Sequence, residues 1–358
     1  MGHFQNLSTR LLNAARSNPC YLDTWTYDWP RRGPNGEKWA INVHVFGAEN
    51  PAAALVVTDG EHGAETHIGN ETACHIAALD IEKLVGQGNA LYIIDTVCPP
   101  GADNDERGDD LNIDGNRAGG PVFVDRFDYS AFRKYAHVAM INENSRADMR
   151  KLMAGTDMEK ARQVLLGGQH SDREGLSYGG IEGESASVSL TQEIYLRILQ
   201  TGVSRIAILH LHSGLGVKDQ IIVVSLTESE HIAELIRQYI ADDRIQYRGL
   251  KSGGAVNETI YGTFPQWMEA LASPQAEVMS LTFELGGEGS PQTSLPIMLE
   301  RNWIKHNPKQ LPPEEEQAII DRFMRIFWLP DDEEWRKLYV RESIALARKM
   351  GRFLQDRL

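Results

Sequence analysis

A histidine and a glutamate three residues apart follow directly on an apolar run in this chain. Ala54-Leu55-Val56-Val57 leads into Asp59-Gly60-Glu61-His62-Gly63-Ala64-Glu65. An imidazole and a carboxylate leaving a strand at that spacing can grip one divalent metal ion. The sequence holds no His-Glu-x-x-His helix, so a metal bound here needs its third ligand from a distant segment. Two later runs end in suitable groups: Leu211-His212-Ser213-Gly214-Leu215-Gly216 and Thr282-Phe283-Glu284-Leu285-Gly286-Gly287. Two imidazoles and one carboxylate make a His2Glu set, which leaves zinc an open position for water. Each piece alone is weak. A single histidine at a strand end is more often a hydrogen-bonded structural residue, and Glu284 could simply pair with an arginine. Their co-occurrence, with glycines at 60, 63, 214, 216 and 286 permitting close turns, is what points to a metal site.

The elements that must position these groups can be read from hydrophobic periodicity. Short β-type runs at 39–45, 53–58, 91–97, 206–211, 221–226 and 278–285 alternate with helical patterns at 68–84, 185–199, 229–240, 295–305, 314–328 and 332–358. Such alternation predicts an α/β fold with a mixed, mainly parallel twisted sheet flanked by helices on both faces. In open sheets of this kind, ligands gather outside the carboxyl ends of the strands, where His62, Glu65, His212 and Glu284 fall. No internal repeat or Pro/Gly/Ser-rich linker divides the chain, so 1–358 is expected to form one domain. The stretch 98–128 is long for a connection and carries Asp103, Asp105, Glu106, Asp109, Asp110 and Asp114 beside Arg107 and Arg117. Their field would favour a positively charged substrate group, but a solvated loop is the default expectation. Pro312-Pro313 followed by three glutamates predicts a helix start.

Bulk properties narrow the class of partner. The chain has 358 residues and a net charge of -14, which argues against nucleic acid or an anionic membrane surface. Cys20, Cys74 and Cys98 are scattered, so neither a disulfide framework nor a thiolate zinc site is expected, and a reducing compartment fits. Residues 1–16 lack the apolar core of a signal peptide, and no run approaches the roughly 20 apolar residues of a membrane span. The expectation is a soluble, cytoplasmic protein.

The order of these pieces resembles the zinc carboxypeptidase (M14) superfamily, and especially its DUF2817 branch. The superfamily-level likeness runs through His62-Gly63-Ala64-Glu65, Asp114-Gly115-Asn116-Arg117, His212 and Glu284. Branch-level likeness comes from Leu211-His212-Ser213-Gly214-Leu215-Gly216, from Gly168-Gln169-His170 with Gly175-Leu176-Ser177-Tyr178-Gly179-Gly180, and from Leu299-Glu300-Arg301-Asn302-Trp303-Ile304. The resemblance implies one Zn2+ per chain on His62, Glu65 and His212, with Glu284 as general base. It also implies that Arg107 stabilises an oxyanion and that Asn116 and Arg117 hold a substrate carboxylate.

The implied activity is hydrolysis of an amide bond in a small peptide or amino-acid conjugate. An N-acyl amino acid deacylase of the desuccinylase or aspartoacylase type, or an inactive binding protein on the same fold, are the alternatives. No Gly-x-Ser-x-Gly elbow supports a serine hydrolase.

Four features depart from the pattern or stay open. The position two before the third ligand, commonly aspartate, is His210, which could act behind the ligands or compete with them. Asp110-Leu111-Asn112-Ile113 offers a second alignment that lacks the arginine. Arg107 could equally offset the acidic loop. Tyr261 is a candidate proton donor held outside the catalytic set.

Overall fold

Residues 53–59 are buried at every position, a pattern that a strand covered on both faces requires. This strand sits inside an eight-stranded sheet. The computed structural model describes residues 3–120, 124–125, 127–227, 229–241, 245–247 and 263–356. Its strands are β1 (Tyr21–Arg32), β2 (Lys38–Gly47), β3 (Ala53–Asp59), β4 (Ala90–Ile94), β5 (Arg205–Ser213), β6 (Ile221–Ser225), β7 (Ile245–Tyr247) and β8 (Glu277–Leu285). They lie in the order β1-β2-β4-β3-β5-β8-β6-β7. The central four, β4-β3-β5-β8, are mutually parallel, while β1, β2 and β6 join by antiparallel pairing. The α/β architecture expected from the alternation is therefore the one observed.

Alternation along the central strands sorts side chains onto two faces. Leu55, Val57, Leu209, Leu211, Leu281 and Phe283 pack on one side against Trp335, Tyr339, Met350 and Phe353 of the helix Glu333–Gln355. Val56, Ile206, Ile208 and Val278 pack on the other side against Ile194, Tyr195 and Ile198 of the helix Ala186–Gln200 and Met268 of the helix Phe264–Ala272. Helices cover both faces. Pro313 opens the helix Pro313–Phe327, with Glu314, Glu315 and Glu316 in its first turn.

Several elements differ from the sequence expectation. The segment expected to be helical at 68–84 divides into Thr66–Ala77 and Ile81–Val85, and the Asp80 side chain caps the second piece. The 98–128 stretch contains two short helices, Pro99–Asp103 and Gly115–Ala118. Helices at Ser130–Ala136, Glu143–Ala154 and Met158–Leu166 were not anticipated, nor was the long edge strand β1. Among the described residues no helix is long and apolar enough to cross a membrane.

Candidate metal centre and its pocket

The face that carries Val56, Ile206, Ile208 and Val278 turns polar as the parallel strands reach their carboxyl ends. Thr58 on β3 lies in register with His210 on β5, and His212 on β5 with Glu284 on β8. Period two therefore carries His210 and His212 onto one face beside Thr282 and Glu284. Beyond β3 the chain turns through Gly60, whose φ of +66° lies in the left-handed region. It then enters a 3-10 turn at Gly63–Glu65. A Cβ on Gly63 would stand 1.9 Å from the backbone carbon of Gly101, so only glycine lets this turn pack against Pro99–Asp103. That contact fixes His62 and Glu65 under the ends of β5 and β8.

One ligating atom from each of His62, Glu65 and His212 lies within 4.8 Å of the other two, and all three residues are buried. The Glu65 carboxylate spans the two imidazoles: Oε1 is 2.7 Å from His62 Nδ1, and Oε2 is 2.9 Å from His212 Nδ1. The far side of each ring faces another carboxylate. His212 Nε2 lies 3.0 Å from Glu61 Oε2. His62 Nε2 lies 3.3 Å from Asp114 Oδ1, close enough for charge attraction but out of line for a hydrogen bond. With Nε2 turned outward on both rings, the two Nδ1 atoms converge on Glu65. This donor set suits a divalent cation, since two nitrogen lone pairs and one carboxylate oxygen point into a shared space backed by carboxylates.

The titration behaviour expresses the same demand for positive charge. Burial alone would raise Glu65, yet the His62 and His212 imidazoles outweigh it and hold the carboxyl down at about 2. Burial alone would lower His212, yet Glu61 and Glu65 carry its pKa well above the ordinary imidazole value. The two carboxylates around His212 thus favour positive charge at the place a cation would occupy. Glu284 differs: burial pushes its carboxyl up to about 7, with His212 opposing and Glu65 reinforcing the rise. Its Oε2 is shielded from solvent and has no hydrogen-bond partner among the described residues.

A pocket opens in front of this cluster. His62, Glu65, His212, Glu284, Arg107, Asn116 and Arg117 all line it, so every site residue expected from the sequence meets in one place. Asp114 caps the short helix Gly115–Ala118, accepting from Asn116 N, and so fixes where Asn116 and Arg117 point. Arg107 donates from Nε to Asp114 Oδ2 at 2.9 Å, and its Nη2 lies 2.9 Å from the same oxygen in an ion pair. Burial alone would raise the Asp114 carboxyl, but Arg107, His62 and Arg117 hold it well below the usual carboxylate range. Arg117 donates from Nε to Leu166 O and from Nη1 to Asn116 O, which leaves Nη2 without a partner among the described residues. Burial brings its guanidinium down to about 10, with Asp114 opposing. The remaining wall is largely apolar, with Leu166, Leu295, Met298 and Phe327 among its members.

A sequence model described as "Protein of unknown function (DUF2817)" matches residues 2–342, nearly the whole chain. The chain belongs to the DUF2817 family. The branch-level resemblance drawn from the sequence is thereby borne out. No curated protein matches the chain in sequence. Among solved structures, it is similar to a metallo-carboxypeptidase from Burkholderia cenocepacia at 12% identity, covering 89% of this chain and 67% of that one, with a TM-score of 0.44. Bovine thrombin-activatable fibrinolysis inhibitor, in complex with tick carboxypeptidase inhibitor, is similar at 13% identity, covering 90% and 98%, with a TM-score of 0.46. The succinylglutamate desuccinylase from Chromobacterium violaceum is similar at 11% identity, covering 90% and 74%, with a TM-score of 0.37.

The segments that carry the DUF2817 likeness brace the site from outside. Gln169 receives Ser177 N and Gly179 N on its side-chain and backbone oxygens, and Tyr178 O in turn receives Asp114 N at 2.7 Å. From the helix Pro291–His306, Arg301 donates to Asn104 O, Asn302 to Glu174 O and Lys305 to Asp109 O. The acidic loop is thus not a solvated one. Asp103 accepts from Trp39 Nε1 and Phe4 N, Glu106 pairs with Arg301 and Lys305, and Asp110 accepts from Trp29 Nε1 and Arg31. These carboxylates are held by groups of the fold rather than by solvent. Tyr261 lies outside the described residues.

Two site residues went unassigned in the sequence reading. Asp114 stands in the quoted Asp-Gly-Asn-Arg motif, and its signal was present in that register. Glu61 adjoins His62; the histidine at 210, where a carboxylate is commonly found, was the hint that a carboxylate had to come from elsewhere.

Proposed function

We propose that this chain is a zinc-dependent amide hydrolase of carboxypeptidase type, acting on a small peptide or an acylated amino acid. The observation that carries this reading is the convergence of His62, Glu65 and His212 beside Glu284, with Asn116 and Arg117 lining the same pocket. His62, Glu65 and His212 would hold one Zn2+. Bound zinc supplies a Lewis acid that polarises a carbonyl and acidifies a water molecule. Glu284, shielded and with a carboxyl near neutrality, takes a proton from water and returns it to the leaving amine. Arg117 offers its unpaired Nη2 to a substrate carboxylate, and Asn116, anchored by Phe264 N on Oδ1, adds a side-chain amide. Arg107, fixed by Asp114, supplies positive charge where an oxyanion develops. The apolar wall of Leu295, Met298 and Phe327 accepts a hydrophobic side chain and excludes water.

Metal analysis of the purified full chain, followed by a screen of C-terminally free dipeptides against N-acyl amino acids, tests the reading. The expected result is stoichiometric zinc and turnover of one of the two classes. Absence of stoichiometric metal, or turnover untouched by Glu284→Gln, would overturn it.

A further inference from the structure

The sequence left His210 unexplained, and the structure links it to a residue that the proposed mechanism does not use. Glu61 lies between the turn after β3 and the end of β5, fully enclosed. Its Oε2 is 3.0 Å from His212 Nε2, and its Oε1 is 2.5 Å from His210 Nδ1. Thr58 Oγ1 also donates to Oε1, at 3.3 Å. On the far side of His210, Nε2 meets Ser280 Oγ on β8 at 3.1 Å. A continuous buried chain of hydrogen bonds therefore runs from Ser280 through His210 and Glu61 to His212.

The direction of each bond follows from the groups. An ionised Glu61 can only accept, so His212 donates from Nε2 and His210 from Nδ1. Once a cation displaces the proton between Nδ1 and Glu65, this donation leaves Nδ1 as the nitrogen with a lone pair to offer, and Nδ1 is the atom facing Glu65. Without Glu61 the ring has no acceptor on its far side and either nitrogen could be presented. A fully buried carboxylate bound to one imidazole alone would leave Oε1 poorly satisfied, and that is the need His210 and Thr58 meet.

We propose that Glu61 is the positioning residue for His212, selecting its Nδ1 for the metal, and that His210 holds Glu61 in place. In this chain the pair supplies from the turn after β3 the carboxylate that position 210 lacks. The inference rests on the zinc reading above, because His212 is taken there as a ligand.

Zinc affinity measured by competition with a chromogenic chelator, on the full chain and on the variants Glu61→Gln and His210→Gln, tests it. Loss of an outer partner to a ligating histidine typically weakens metal binding about 10- to 100-fold. Glu61→Gln is expected to fall in that range and His210→Gln to weaken binding in the same direction. A second measurement does not depend on the variants folding. Long-range nitrogen–proton correlation of the histidine rings in zinc-loaded wild type should show His212 protonated at Nε2 and metallated at Nδ1, a tautomer that a purely structural Glu61 would not dictate. Wild-type zinc affinity in Glu61→Gln, or metal on His212 Nε2, would overturn the proposal. A wild-type chain that takes up no zinc defeats the metal reading first and this inference with it, and that failure is seen in wild type alone.

Discussion

At the scale of single residues, Glu284 and the ligand cluster carry opposite electrostatics within one pocket. Glu65 is held down by two imidazoles, whereas Glu284 is raised to about 7 because burial disfavours its charge more than His212 favours it. Pushing two carboxylates apart in this way separates a ligand role from a proton-transfer role. A general base must be ionised to act, so kcat/KM should fall as pH drops along a single acid limb at or below about 7, since a nearby divalent cation draws the carboxyl lower. Glu284→Gln should lower kcat/KM by about 10²- to 10⁴-fold and erase that limb, with zinc content preserved. A limb that persists in the variant would assign it to another group. His62→Ala and His212→Ala should instead lose the metal, which elemental analysis distinguishes from a loss of base.

At the scale of elements, the site depends on how a turn and a loop are seated. The turn Gly63–Glu65 presses on Pro99–Asp103, and a Cβ at 63 would meet Gly101 C at 1.9 Å and Ala102 N at 2.2 Å. Both are backbone atoms and neither can step aside as a side chain would. Gly63→Ala should therefore destabilise by about 1–3 kcal/mol and weaken zinc binding together, read by urea denaturation and chelator competition. Retention of both wild-type values would show that the turn has slack. Asp114 ties together three elements: it caps Gly115–Ala118, fixes Arg107 and faces His62. Asp114→Ala leaves the Arg107 guanidinium, half-buried in the pocket wall, without its partner, and should lower stability by about 1–3 kcal/mol, read by urea denaturation. The strand-end histidines and glutamates were legible in the sequence because strand period and glycine turns are local. The Ser280–His210–Glu61 chain was not, because its members come from three segments and no spacing rule connects them.

At the scale of the whole molecule, the central strands were legible because burial on both faces leaves continuous apolar runs such as 53–57 and 206–209. The edge strand β1 was not, since Tyr21-Leu22-Asp23-Thr24-Trp25 mixes polar and aromatic residues on a half-exposed surface. That edge nevertheless sets a property of the entire fold through His44. The β1–β2 register brings Thr24 opposite His44, and Thr24 Oγ1 lies 2.9 Å from His44 Nδ1. The ring is buried, with no partner for Nε2 among the described residues, and burial, with Arg16 adding to it, brings its pKa down to about 4 from an ordinary 6.5. Between those values the unfolded chain binds a proton that the folded chain refuses. The stability contribution is fully present above about 6.5 and is lost as pH falls through about 4. A difference of that size corresponds to about 3 kcal/mol. Buried Asp95 and Asp109, both raised to about 6 chiefly by burial, act with the opposite sign over part of this range, so the total curve does not isolate His44. The difference between wild type and His44→Gln does. Urea midpoints measured from pH 7.5 to 4 should converge as pH falls, with the variant gaining on wild type across the window, and parallel curves would show that His44 takes up its proton in the folded state.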